Sequence, residues 1–109
     1  MSYPLTRAED VLLVPTEGHT PGHLSIIVLE DDHALFLAGD TSYSQLFMLD
    51  EAVDGVAPDE QVSRQTLRRI HTYTQQVPTV YLPSHDPEAR ERLFHRQTVL
   101  FPETIKAAL

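Results

Sequence analysis

The sequence predicts an α/β (α+β) fold, a mixed sheet carrying one long and one short helix. Short apolar runs bounded by turn residues read as strands. Helical spacing is sustained in one long segment only, beginning near Asp59. The strongest strand runs are apolar on both alternating faces, which suits a sheet covered on both sides.

The elements follow in order. Asp10 to Thr16 (Asp-Val-Leu-Leu-Val-Pro-Thr) reads as a strand, as do Leu24 to Leu29 and Ala34 to Ala38. The acidic turn Glu30-Asp31-Asp32 joins the last two as a hairpin. Residues 41–58, holding Tyr43, Phe47, Met48 and Leu49, have weak periodicity and read as a long loop. A helix is expected over Asp59 to Gln76, with Pro58 at its first turn. Asp59 and Glu60 complement the positive end of its dipole, and Val62, Thr66, Leu67, Ile70 and Tyr73 form its apolar stripe. Thr79 to Leu82 is a short apolar strand, and Pro87 opens a short helix running to about Phe94. Two helices can cover about one sheet face. The apolar residues of the other face imply a further layer, from another segment or another subunit.

Composition narrows the function. The 109 residues form one domain at most, with 41% hydrophobic and 22% charged residues, ordinary for a globular protein. A net charge of −8 argues against nucleic acid or an anionic membrane surface as partner, since both call for a basic patch. With no cysteine there is no disulfide framework and no thiolate, so any metal must be held by His and carboxylate. No apolar run is long enough to span a membrane. The opening residues Met1 to Arg7 lack a signal pattern, and a cytoplasmic location is expected.

Three stretches carry chemistry: Gly18-His19-Thr20-Pro21-Gly22-His23, Ala38-Gly39-Asp40 and Pro83-Ser84-His85-Asp86. Each sets a metal-competent side chain just past or beside an apolar strand, where layered α/β proteins gather their sites. Singly, each has an ordinary structural reading. His19 can be a turn histidine, Asp40 a cap on the strand-to-loop transition, and His85 a surface loop residue. Jointly, His19, Asp40 and His85 point to a metal site whose donors converge within about 6 Å of a shared point, given metals roughly 3.5–4 Å apart.

These motifs resemble the metallo-β-lactamase superfamily of metal-dependent hydrolases. The resemblance implies that His19 holds one metal, His85 the other, and Asp40 bridges them. It implies two Zn2+ per complete site, with Mn2+ or Fe2+ as alternatives. Asp40-Thr41-Ser42-Tyr43 is similar to the segment of N-acyl homoserine lactonases in which a tyrosine contacts the lactone, so Asp40 and Tyr43 are the expected catalytic residues. Tyr43 can equally be an aromatic packing the loop onto the sheet. Ser84-His85-Asp86 and Phe101-Pro102-Glu103 are lactonase-like as well. A hydroxyacylglutathione-hydrolase-like thioesterase is the competing branch, though it usually carries an apolar pair where this chain has Ser42-Tyr43. His23 is implied to be structural, not a ligand; His33, His71 and His95 read as surface histidines.

The superfamily's His-x-His-x-Asp-His signature has no counterpart in the chain. Residues 1–109 therefore resemble a single partial domain, the C-terminal half of an αβ/βα sandwich. The expected activity is hydrolysis of a small-molecule lactone or ester by metal-activated water, in a homodimer or together with a missing N-terminal half. The alternative is a non-catalytic half-fold that serves as a dimerisation or interaction module.

Overall fold

The structure, a computed structural model, describes residues 2–53, 55 and 58–99. Among these residues five strands form one sheet: β1 (Tyr3–Pro4), β2 (Val11–Pro15), β3 (Leu24–Leu29), β4 (Ala34–Gly39) and β5 (Thr79–Pro83). The strand order is sequential; β1 to β4 are antiparallel neighbours, while β5 joins β4 in parallel. Three helices among the described residues accompany them: α1 (Gln45–Leu49), α2 (Glu60–Gln76) and α3 (Ala89–His95). The mixed α+β sheet is as expected, with one helix and one short edge strand more than the sequence suggested.

The departures have local causes. Residues 41–58 are not a continuous loop, because Ser44 caps the single turn of α1 by accepting the Phe47 N–H on its hydroxyl. A five-residue helix is too short to display a period, and its anchor, Met48, is fully buried. Asp59 does not lie inside α2 but is its N-cap, accepting the N–H groups of Gln61 and Val62. Pro58 therefore precedes the cap. Phe101-Pro102-Glu103 lies outside the described residues.

Strand alternation divides the sheet into two unlike faces. Ile27, Phe36 and Tyr81 point toward α2, where they pack with Leu67, Ile70 and Met48 as the core. Phe36 lies 6.1 Å from the Tyr73 ring and 5.7 Å from that of Tyr81. The opposite face carries two apolar rows in register across four strands: Val11, Val28, Leu35 and Val80, then Leu13, Ile26, Leu37 and Leu82. All but Val80 are at least partly exposed, Leu37 at 39% and neighbouring Leu24 at 49%. Among the described residues, the expected uncovered apolar face is present. None of their helices is long and apolar enough to cross a membrane.

Register also gathers the three motifs. Pairing of Pro15 with Leu24 places the β2–β3 loop, with His19 and His23, at the end of the sheet where β4 exits. Pairing of Gly39 with Pro83 aligns the exits of β4 and β5, and the Ser84 N–H donates to the Gly39 carbonyl at 2.8 Å.

Candidate functional site

The β2–β3 loop is held from below by α2. Thr66 donates its hydroxyl proton to the Glu17 carbonyl at 2.5 Å. Gly18 approaches Ser63 so closely that a Cβ there would stand 2.5 Å from Ser63 Oγ, so this contact requires glycine. His19 follows, its side chain 27% exposed.

Asp40 lies at the centre of the cluster. Its Oδ2 is 3.9 Å from His19 Nε2, and its Oδ1 is 3.2 Å from His85 Nε2. Ser84 donates its hydroxyl to Oδ1 at 2.5 Å. That hydrogen bond, aided by the nearby histidines, holds the Asp40 carboxyl below the usual carboxylate range, so it stays ionised. Tyr43 is exposed beside this group, its ring 6.3 Å from the His85 imidazole and 6.2 Å from Phe47.

His23 lies beneath Asp40. Its Nε2 accepts the Asp40 backbone N–H at 3.0 Å, and its Nδ1 meets Thr16 Oγ1 at 2.9 Å. Burial pushes the His23 pKa down, against the pull of Asp40. Behind His85, Asp86 forms a clamp. One oxygen accepts the Gln45 N–H and the Arg92 guanidinium, the other the Glu88 N–H. Arg92 also donates to the Tyr81 carbonyl, tying α3 to β5. Burial would raise the Asp86 pKa, but Arg92 and the two N–H donors hold it below the ordinary range.

His19, Asp40, His85 and Tyr43 are thus brought to one end of the sheet. The two histidines meet different oxygens of one carboxylate, and no group of three His, Asp or Glu that could hold an ion occurs among the described residues. Of the other histidines, His95 is exposed. His33 is largely covered, its side chain 15% exposed, lying 2.5 Å from Glu30 and 2.6 Å from Asp32. His71 is half-exposed, 3.8 Å from Glu51. Two supports escaped sequence reasoning. Ser84 adjoins His85 in the motif and could have been suspected, whereas Arg92 gives no sequence signal of pairing with Asp86.

The mixed sheet, its helices and the loops at one sheet end define part of a metallo-β-lactamase fold. The solved structures it resembles include N-acyl homoserine lactonases and other hydrolases of that superfamily. One is an N-acyl homoserine lactone hydrolase with N-hexanoyl-L-homoserine bound at its catalytic metal centre. It shares 25% identity at a TM-score of 0.69 over 83% of this chain and 35% of its own. A quorum-quenching N-acyl homoserine lactone lactonase matches with 26% identity, a TM-score of 0.68, and coverage of 80% and 35%. A probable metal-dependent hydrolase from Staphylococcus aureus, 18% identical at a TM-score of 0.66 over 78% and 30%, supports the fold alone. The chain thus spans about a third of the lactonases it matches. No protein-family model and no curated protein sequence matches it.

Proposed function

We propose that this chain is the C-terminal half of a metal-dependent hydrolase acting on a lactone or related ester of the N-acyl homoserine lactone type. The observation that carries this reading is the Asp40 carboxylate, with one histidine Nε2 facing each oxygen. Imidazole nitrogen and carboxylate oxygen suit zinc, and manganese or iron as well, so the donor set fits a two-metal site in kind. It falls short in number. With Asp40 shared, each metal would have two protein donors from this chain, whereas catalytic zinc generally has three.

In the complete site, His19 and His85 would each hold one metal and Asp40 would bridge them. Metals bound there would supply Lewis acidity and lower the pKa of a bound water toward neutrality. The chain's own contribution is positional. Ser84 keeps Asp40 anionic and aimed, the Asp86–Arg92 clamp fixes the segment bearing His85, and Tyr43 presents its phenol to the substrate carbonyl.

The missing donors and the missing layer belong together in this reading. A second sheet packed on the Val11–Val80 and Leu13–Leu82 rows would cover the apolar face and bring the remaining ligands. The same rows also favour the second reading, an interaction module without catalysis, because they suit pairing with another chain whatever its chemistry.

Co-expression with a lactonase N-terminal half tests the choice. The chain alone should bind zinc weakly and open acyl homoserine lactones little faster than buffer, and the pair should be active. His19→Ala, Asp40→Ala or His85→Ala should each abolish the gain. Tyr43→Phe should lower kcat on the order of 100-fold while leaving bound zinc unchanged. A purified isolated chain that keeps stoichiometric zinc through dialysis and turns over lactone rapidly would refute the half-site reading.

A further inference from the structure

Every proton in the network beneath Asp40 can be assigned from the atoms it joins. A backbone N–H only donates, so the Asp40 N–H, 3.0 Å from His23 Nε2, requires an unprotonated Nε2. The neutral ring then carries its proton on Nδ1 and donates it to Thr16 Oγ1 at 2.9 Å. Thr16 in turn donates to Ser25 Oγ at 2.7 Å, and Ser25 to the Ala38 carbonyl at 3.3 Å. Thr16 and Ser25 are 2% and 1% exposed, so little water competes for these bonds. The chain starts at Asp40 and ends at Ala38, enclosing Gly39, whose φ of 58° turns the strand outward. A Cβ on Gly39 would lie 2.9 Å from His23 Nε2, so ring and bend are in direct contact.

We propose that His23 is a positioning residue locked as its Nδ1–H tautomer, and that the relay Asp40–His23–Thr16–Ser25–Ala38 sets the peptide from which the Asp40 carboxylate faces His19 and His85. Both His23 nitrogens are committed within this relay, so of the two histidines in the motif only His19 offers a donor to a metal. The use of the carboxylate as a ligand rests on the proposed function; the relay itself does not.

Nitrogen-15 NMR of the full chain in mildly alkaline buffer, without metal, tests it. The expected result is a pyridine-type Nε2 and a pyrrole-type Nδ1 for His23, the reverse of what free imidazole side chains prefer in water. A nitrogen–nitrogen coupling should run from the Asp40 amide to His23 Nε2. His23→Gln, which places an oxygen acceptor near the Nε2 position, should keep slow exchange of the Asp40 amide. His23→Leu should speed it roughly tenfold, the effect of losing one hydrogen bond. A pyrrole-type Nε2 in the unaltered chain would overturn the assignment even if the Leu variant failed to fold. So would equal Asp40 exchange in a folded Leu variant. Neither outcome depends on hydrolysis, so failure of the relay is distinguishable from failure of the hydrolase reading.

Discussion

At Gly39 the backbone takes a φ of 58°, and a methyl group there would press on His23. Two costs would therefore add in Gly39→Ala: the left-handed conformation, roughly 1–2 kcal/mol for a residue with a Cβ, and displacement of the imidazole. The variant should lose at least about 1 kcal/mol in urea unfolding, with the m-value unchanged. An unchanged midpoint would mean that the bend tolerates a side chain. His19, Asp40 and His85 were all legible as candidates, because an imidazole or carboxylate beside an apolar strand can be read from order alone. Which oxygen each histidine meets was not legible, since it depends on the relative heights of two loops above the sheet.

Helix α3 is fastened to β5 through Arg92, whose guanidinium reaches both the Tyr81 carbonyl and the Asp86 carboxylate at 2.8 Å. Both side chains are almost wholly buried. Arg92→Leu would leave Asp86 as an unpaired buried charge, a loss of roughly 3–5 kcal/mol. Calorimetry should show it, and adding Asp86→Asn should recover part. The sign of the pH dependence follows from the lowered pKa of Asp86. The unfolded chain takes up this proton first as pH falls, so the stabilisation is full above the ordinary carboxylate value of about 3.9. It is lost as pH drops through the lower folded value. Asp40 adds in the same direction. Unfolding midpoints should therefore fall steeply on acidification below about pH 4, and less steeply in a folded Arg92→Leu/Asp86→Asn variant. The helices divide in the same way. The long α2 announced itself by its period and acidic start, whereas one-turn α1 depends on the Ser44 cap and on burial of Met48.

For the whole molecule, the two apolar rows opposite α2 are the dominant feature. An exposed face of this kind favours association, so the isolated chain should form dimers or larger species and bind a hydrophobic dye. Leu37→Lys places a charge in the middle of one row and should shift light scattering toward monomer and reduce dye binding, with the circular dichroism unchanged. A compact, dye-silent monomer from the unaltered chain would count decisively against an uncovered face. The sequence by itself determined strands β2 to β5, the long helix, the acidic hairpin, the surplus apolar face and the three chemistry-bearing stretches, but not the edge strand β1. These are properties of local order: alternation, period and turn chemistry act within a few residues of one another. Only the tertiary structure decided that β5 joins β4 in parallel, with Pro83 beside Gly39, and so brings His85 to Asp40. It alone decided that His23 supports the Asp40 backbone and that Arg92 neutralises Asp86. Such pairings join residues distant in sequence, and their distances follow from strand register and close packing, which no local pattern encodes.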